Sequence, residues 1–171
     1  YSFLEAISSI FDMSIKEIIA LLSKKVKEND ILFTSINSGD LKTQFGDVNK
    51  FVHYLNNNIY LDYEIIGDIL AKPDILSKHG INYYIFERKN LFIKKELEKN
   101  IIQDDFVLNC NNIENDIYRE DPNRDNIILL KDGKLYYPIY KIKKPKPNSQ
   151  VIIDKKYKYD EIIKHCYEFY K

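Results

Sequence analysis

The residue of greatest chemical interest is Ser2, which precedes the amphipathic run FLEAI at the start of the chain. A residue at a helix N-terminus lies beside unsatisfied backbone N–H groups and the positive end of the helix dipole. That environment lowers the pKa of a thiol and activates it as a nucleophile, whereas an alcohol gains much less. Serine is also an ordinary N-cap residue. Local chemistry therefore favours a helix cap over a nucleophile at Ser2.

The common signatures of catalytic and ligand-binding loops are missing from the sequence. The five glycines, at positions 39, 46, 67, 80 and 133, form neither a dinucleotide-binding fingerprint nor a phosphate-binding loop. The three histidines and two cysteines lack the spacing of a metal site. We therefore expect no cofactor and no metal. Cys110 and Cys166 make no disulfide framework, which favours a reducing compartment, and both are expected to be small core residues.

Charge is balanced over the whole chain but not along it. Lys plus Arg and Asp plus Glu both total 26, so no overall basic field attracts nucleic acid. Residues 98–126 contain eight acids against three bases, whereas residues 141–158 contain seven lysines against Asp154. A solvated linker is the favoured interpretation of the lysine-rich stretch, and contact with a nucleic-acid backbone is the alternative. The candidate nucleic-acid contacts are Lys141, Lys143, Lys144, Lys146, Lys155 and Lys156.

The first half of the chain predicts four helices. Apolar residues at helical spacing form a first helix after Ser2, and Ser14 with Glu17 predicts a capping box for a second. Asp47 opens a third helix, and Asp62 caps a fourth that ends before Pro73. A turn is expected at residues 38–40.

The second half changes to the pattern of β-strands and ends in one more helix. Residues 81–86 and 106–108 predict strands, and residues 126–131 and 134–140 flank Asp132-Gly133 as a hairpin. Pro138 lacks a backbone N–H, which indicates an edge or bulge. Residues 143–149 predict an exposed linker, and Tyr159, Ile162, Ile163, Cys166 and Phe169 predict the last helix.

Helices followed by strands indicate an α+β fold, with N-terminal helices packed on a mixed, mostly antiparallel sheet that contains a C-terminal hairpin. We predict one domain over residues 1–143, with the linker and final helix of residues 144–171 packing back on it. No apolar run approaches the roughly 20 residues that span a bilayer, so no membrane partner is expected. The N-terminus lacks a basic leader, and a chain that starts at Tyr1 is expected to be cut from a longer protein.

Composition points to the origin of the gene and to a protein partner. Lysine outnumbers arginine 23 to 3 and tryptophan is absent, a skew that fits an AT-rich genome such as that of a large DNA virus or some protozoa. The 14 tyrosines supply rigid contact area with a polar tip, which suits a protein interface.

The segment over residues 2–7 resembles the nucleophile helix of ovarian-tumour (OTU)-type cysteine proteases. More specifically, the chain resembles OTU-like modules in large proteins of nucleocytoplasmic large DNA viruses, including proteins related to the large subunit of the viral early transcription factor. Residues 37–41 with Phe45, 80–87, 127–131 and 136–140 carry the rest of the resemblance. These segments follow one another in the family's order over most of residues 1–143, and imply the OTU-like scaffold.

The resemblance implies an active-site pattern that this sequence breaks twice. Ser2 stands where the family has its cysteine, and Tyr136 or Tyr137 stands where the family has a histidine. Tyrosine, with a pKa near 10, is a poor general base at neutral pH. Without thiolate or imidazole, the hydrolytic triad lacks both its nucleophile and its base.

The sequence therefore predicts a catalytically inactive OTU-like module that serves protein–protein interaction or scaffolding, with a ubiquitin-like protein among the candidate partners. By resemblance, its setting is viral transcription or replication in the host cytoplasm, or the virion. One alternative is an active peptidase or deubiquitinase in which Ser2 replaces a cysteine. The other is an accessory domain of the viral transcription machinery that contacts nucleic acid through residues 141–158.

Overall fold

The computed structural model describes residues 2–35, 40–58, 60–96, 99–112, 114–143 and 146–170. The chain divides into two compact units. The first comprises Tyr1–Ile81 with Asn123–Asp125, and the second comprises Asn82–Pro122 with Asn126–Lys171. Helices precede a mixed sheet, so the predicted α+β class is confirmed. The predicted boundary between residues 143 and 144 stays a prediction.

The first unit is helical. Its helices are α1 (Phe3–Phe11), α2 (Ile15–Glu28), α3 (Asp30–Ser35), α4 (Asp40–Phe45), α5 (Val48–Asn57) and α6 (Tyr63–Ala71). The four predicted helices are α1, α2, α5 and α6. The short helices α3 and α4 were not predicted, because six residues each give too little periodicity to recognise. Of the turn predicted at residues 38–40, Ser38 and Gly39 lie outside the described residues, and Asp40 begins α4.

The helix starts follow the capping chemistry of the sequence. Ser14 caps α2 through the predicted box, since its Oγ accepts the Glu17 N–H at 3.2 Å. The Asp47 carboxylate accepts the Lys50 N–H at 2.9 Å and so caps α5. Asp62 occupies the N-cap of α6 as predicted, although its side chain makes no capping hydrogen bond.

The helices bury their apolar stripes in a core that includes Phe3, Ile7, Ile18, Leu22, Phe51, Leu55, Ile66 and Ile69. The side chain of Arg124 is buried in this unit and donates to backbone carbonyls, at 2.9 Å to His79 and 3.0 Å to Ile81. Gly80 lies between those two carbonyls with φ +95°. A Cβ there would lie 2.6 Å from Arg124 Nη1, so only glycine fits without displacing the guanidinium.

The second unit is built on a four-stranded sheet in the order β2-β1-β3-β4. The strands are β1 (Ile81–Glu96), β2 (Lys99–Cys110), β3 (Asp125–Asp132) and β4 (Leu135–Pro138). The pairs β1–β2 and β3–β4 are antiparallel. Asn82 contacts Asn126, and Arg88 contacts Asp132, at the same sequence separation of 44. A constant separation along two neighbouring strands means that β1 and β3 run parallel.

The predicted strands lie in the sheet, but the first two are shorter than the observed strands. Residues 81–86 and 106–108 are parts of the much longer β1 and β2. The predicted hairpin forms, but its two-residue turn is Gly133-Lys134 rather than Asp132-Gly133, because Asp132 still pairs with Leu135. Gly133 has φ +61°, as the first turn position requires. Pro138 lies on the outer strand β4, which confirms the predicted edge.

The remainder of the second unit comprises α7 (Asp116–Arg119), β5 (Lys141–Lys143), β6 (Ile152–Asp154) and α8 (Glu161–Tyr170). The strands β5 and β6 form a separate antiparallel pair, which the linker interpretation of residues 143–149 did not predict. On α8, Ile163 and Cys166 are buried as expected, and they join a core cluster with Tyr84 and Leu108. Phe169 on the same helix stays 55% exposed.

Candidate functional site

Ser2 is the N-cap of α1. Its Oγ accepts the Glu5 N–H at 3.2 Å, and its own N–H donates to Glu5 Oε2 at 2.6 Å, which completes a capping box. The hydrogen bond from the Ser2 backbone lowers the pKa of the Glu5 carboxyl. The interpretation of Ser2 as a helix cap is therefore confirmed, and the hydroxyl oxygen is engaged by the helix that it starts.

The two tyrosines that take the place of the family's histidine lie in the second unit, whereas Ser2 lies in the first. Tyr136 is fully buried, with Lys131 Nζ 5.7 Å from its ring centroid. Tyr137 follows on β4, pairs with Leu130 across the hairpin and is 39% exposed. A tyrosine hydroxyl, with an ordinary pKa near 10, is a poor general base at neutral pH, so neither position supplies what a histidine would.

The histidines and cysteines make local contacts rather than a nucleophile–base pair. His53 Nδ1 lies 3.1 Å from Asn57 Nδ2, and His165 Nδ1 lies 3.5 Å from Glu168 Oε2. Burial raises the pKa of the Cys110 thiol to about 12, and burial also raises the pKa of Cys166. Both thiols are therefore protonated and weakly nucleophilic at neutral pH.

Two of the lysines proposed to contact nucleic acid form ion pairs with carboxylates. Lys143 Nζ lies 2.7 Å from Asp154 and Lys141 Nζ lies 3.2 Å from Asp160. Lys144 lies outside the described residues, and the remaining candidates, Lys146, Lys155 and Lys156, follow β5 and β6. Across the ribbon, Ile142 pairs with Ile153, and both side chains are more than half exposed. This face of the ribbon is apolar, which is unlike a surface that follows phosphates.

A buried amide network holds the start of the sheet in the second unit. Asn82 Nδ2 donates to Asn126 Oδ1 at 3.0 Å and to the Tyr118 carbonyl at 2.9 Å. Its Oδ1 accepts from Asn112 Nδ2 at 2.6 Å, and Asn126 donates to the Tyr157 carbonyl at 3.1 Å. Because both Asn82 and Asn126 are buried and hydrogen-bonded within the unit, the network is structural.

The feature best suited to binding is an apolar groove on the face of the sheet that carries α8. Its lining consists of Phe86, Phe106, Leu130, Ile139 and Phe169, which we call the aromatic groove. The groove has a volume of about 330 Å³ and is open to solvent. Phe106, Ile139 and Phe169 are 40%, 39% and 55% exposed. Large apolar side chains gathered at one exposed concavity are typical of a site that accepts an apolar group.

Each wall of the aromatic groove is fixed by a different element. Phe86 and Leu130 project from the central strands β1 and β3, and Phe106 projects from the outer strand β2. Phe169 closes the groove from α8, with its ring centroid 5.4 Å from that of Phe86. Behind it the core cluster of Tyr84, Leu108, Ile128, Ile163 and Cys166 anchors the helix to the sheet.

The structure adds two findings about other kinds of site. In the described part of the chain, no group of three or more His, Cys, Asp or Glu side chains is arranged to hold a metal ion. None of the described helices has the length and apolar character needed to cross a membrane.

Comparison with known proteins gives one informative relative. No protein-family model matches the chain, and no solved structure matches it. An uncharacterized protein of Acanthamoeba polyphaga mimivirus is 36% identical over 178 aligned residues. The alignment covers all of this chain but only 11% of the length of that protein. The expectation that the chain is related to a protein of a large DNA virus is therefore confirmed.

Proposed function

We propose that this chain is a catalytically inactive, OTU-like module of a larger viral protein, and that it binds a protein partner through the aromatic groove. The partner contributes at least one large apolar side chain to the groove. The relative's length, of which this chain covers 11%, supports a role as one part of a multidomain protein. The same proposal places the parent in viral transcription or replication, in the host cytoplasm or the virion.

The chemistry around Ser2 supports the inactive part of the proposal. Its oxygen accepts a backbone N–H in a capping box, and serine lacks the low pKa that this position gives to a thiol. The residues at the place of the family's histidine, Tyr136 and Tyr137, are poor bases at neutral pH. Without a cysteine thiol as nucleophile and a histidine imidazole as base, such a scaffold cannot form an acyl intermediate by the family's route.

The aromatic groove is the observation that carries the binding part of the proposal. Exposed Phe106 and Phe169 line an apolar concavity together with the less exposed Phe86 and Leu130. Covering these rings removes apolar surface from water, which is the main favourable term in most protein association. A nucleic-acid partner fits less well, because Lys141 and Lys143 already pair with carboxylates.

The catalytic part is tested with purified chain, an electrophilic ubiquitin probe and a fluorogenic ubiquitin conjugate. We expect neither labelling nor turnover. A Ser2→Cys variant is the matched control, because it restores the sulfur at the helix start without restoring an imidazole. Labelling or turnover by the unaltered chain would contradict the proposal.

The binding part is tested by selecting peptides on the full chain from a displayed random library and measuring their affinity in solution. We expect enriched peptides to contain a large aromatic or aliphatic side chain. Phe169→Asp should weaken their binding about tenfold or more, because it places a charge in an apolar site. Ile31→Asp makes the same chemical change at a residue that is 72% exposed in α3, and should leave binding unchanged. Peptides insensitive to Phe169→Asp would overturn the groove as the binding site.

A further inference from the structure

The strand pair β5–β6, which we call the ribbon, exposes aliphatic side chains that do not line the aromatic groove. In its antiparallel register Ile142 lies opposite Ile153, so both side chains share one face. They are 69% and 55% exposed, and Val151, next to β6, is 53% exposed. Large aliphatic side chains gathered on one exposed face are typical of an interaction surface.

The opposite face of the ribbon is charged. Lys141 lies opposite Asp154 in the register, and Lys143 Nζ reaches the same carboxylate at 2.7 Å. Lys141 Nζ lies 3.2 Å from Asp160. The strands β5 and β6 therefore place their charged residues on one face and Ile142 on the other, so the ribbon is amphipathic.

The base of the ribbon is fixed to the four-stranded sheet. Tyr157, which follows β6, is buried and exchanges backbone hydrogen bonds with Asn126 of β3, at 2.7 and 3.0 Å. Its hydroxyl donates to the carbonyl of Ile139, which precedes β5, at 3.1 Å. The chain is therefore held at both ends of the ribbon, and the aliphatic face has a fixed position on the sheet.

Charge around the ribbon favours an anionic partner. Residues 141–160 contain seven lysines against two acids, a net charge of +5. Both acids are the ones that pair with the lysines of β5, so lysine stays in excess after those pairs form. Lys146 and Lys158 are exposed and make no ion pair with any residue that the structure describes.

The composition of this surface fits a lipid membrane better than a protein or a nucleic acid. Protein interfaces are enriched in aromatic side chains and arginine and depleted in lysine, whereas the aliphatic face consists of isoleucine with lysine around it. Elements that lie on a membrane combine an apolar face with lysines that attract anionic headgroups. Such contact needs no membrane-spanning run, because two short strands supply the apolar face together.

We propose that the ribbon binds an anionic membrane surface. Ile142 and Ile153 enter the boundary between the headgroups and the acyl chains, and the lysines around the ribbon lie among the headgroups. Apolar burial and attraction to anionic lipid act together, so the loss of either weakens binding. The membrane contact is separate from the aromatic groove and adds a second kind of partner to the one proposed there.

Vesicle binding by the full chain tests the proposal, with phosphatidylcholine vesicles that contain or lack about 30 mol% phosphatidylserine. We expect binding to the anionic vesicles to be about tenfold tighter or more, and to weaken as salt is raised. Lys146→Gln with Lys158→Gln should weaken it about tenfold, since each lysine near an anionic surface contributes to the attraction.

The aliphatic face is tested separately from the charge. Ile142→Thr with Ile153→Thr should weaken binding to the anionic vesicles about fivefold, because threonine keeps the β-branched shape and adds a hydroxyl. Ile152 lies opposite Lys143 on the charged face, so Ile152→Thr is the matched control and should leave binding unchanged. Circular dichroism checks that each variant is folded.

Fluorescence reports which face enters the lipid, because the chain contains no tryptophan. The emission of Ile153→Trp should shift to shorter wavelength when anionic vesicles are added, whereas that of Ile152→Trp should not. A shift at both positions, or at neither, would overturn the assignment of the aliphatic face to the membrane.

The other outcomes separate this proposal from its competitors. Absence of binding to the anionic vesicles would overturn it, and binding that the threonine changes leave intact would reduce the contact to charge alone. Binding lost in Phe169→Asp would assign the membrane contact to the aromatic groove instead. Self-association that Ile142→Thr with Ile153→Thr abolishes, measured by sedimentation velocity, would assign the aliphatic face to a second copy of the chain.

Discussion

The rings of Phe86 and Phe169 lie with their centroids 5.4 Å apart and their planes inclined at 58°. This pair joins the sheet to the last turn of α8 and forms one side of the aromatic groove. Phe86 belongs to the edge of the core cluster, whereas Phe169 is 55% exposed. The same pair therefore contains one residue that supports the fold and one that is available to a partner.

Replacing the two rings should separate these roles. Phe169→Ala loses one aromatic pair and a half-exposed side chain, so we expect the free energy of unfolding to fall by about 1 kcal/mol. Phe86→Ala removes a ring that packs on the core cluster, and we expect a loss of about 3 kcal/mol. Urea unfolding followed by circular dichroism measures both. Equal losses in the two variants would mean that Phe169 is a core residue rather than part of a binding surface.

A second prediction concerns Gly80 and the buried guanidinium beside it. Gly80→Ala combines a φ of +95° with a Cβ 2.6 Å from Arg124 Nη1 and 2.7 Å from the Ala71 carbonyl. We expect a loss of about 3 kcal/mol, because the added carbon strains the backbone and displaces Arg124 from the carbonyls that it satisfies. Thermal or urea unfolding measures the loss.

Gly133→Ala is the matched control for this change. Gly133 also has a positive φ, +61°, but no atom lies within 4 Å of the added Cβ. Only the cost of the left-handed backbone applies, about 1 to 2 kcal/mol. A Gly80→Ala variant as stable as Gly133→Ala would show that Arg124 accommodates the methyl group without loss.

The α1 cap gives a third prediction. Ser2→Ala removes the oxygen that accepts the Glu5 N–H, and we expect a loss of about 1 kcal/mol, with a similar loss for Ser14→Ala at α2. Ser2→Asp keeps an acceptor at the same position and should remain within a few tenths of a kcal/mol of the unaltered chain. Chemical unfolding measures all three variants. If Ser2→Ala left the free energy of unfolding unchanged, the Ser2 cap would not stabilise α1.

The features that sequence predicted well are those determined by neighbouring residues. The cap at Ser2 and the capping box of Ser14 with Glu17 were predicted, and both are present; each depends on residues three positions apart. The hairpin around Gly133 was predicted for the same reason, although the turn lies one residue later. Local hydrogen bonds and allowed φ values decide such features before any tertiary contact forms.

The features that sequence missed depend on distant residues. The outer parts of β1 and β2 are rich in Lys, Asn and Asp, which gave no apolar alternation, and they are strands because they pair with each other. The aromatic groove gathers Phe86, Phe106, Leu130, Ile139 and Phe169 from separate elements, so no spacing in the sequence announces it. The available signal for the groove was Phe169. It lies near the end of a helix that already packs on the sheet through Ile163 and Cys166, so its ring is not needed to anchor the helix.

The buried thiol and phenol of the second unit predict a loss of stability at alkaline pH. Burial raises the pKa of Cys110 to about 12, and burial likewise raises the pKa of Tyr84. The folded state therefore holds these protons more tightly than the unfolded chain, in which a thiol ionises near 8.5. The contribution of these two groups to the free energy of unfolding is complete below about pH 8.5, and it is lost as the pH rises toward 12. We expect the free energy of unfolding to fall between about pH 9 and pH 11, and urea titrations across that range measure the slope.

Cys110→Ala and Tyr84→Phe test the origin of this slope, since each removes one ionisable group from the cluster. Both variants should lose less stability than the unaltered chain over the same pH interval, even where their stability at neutral pH is lower. The thiols supply an independent measurement, because only the thiolate reacts with iodoacetamide. We expect Cys110 and Cys166 to be alkylated slowly in the folded chain at pH 8 and rapidly in urea, with mass spectrometry to assign each site. Rapid alkylation of the folded chain at pH 8 would mean that burial does not protect these thiols.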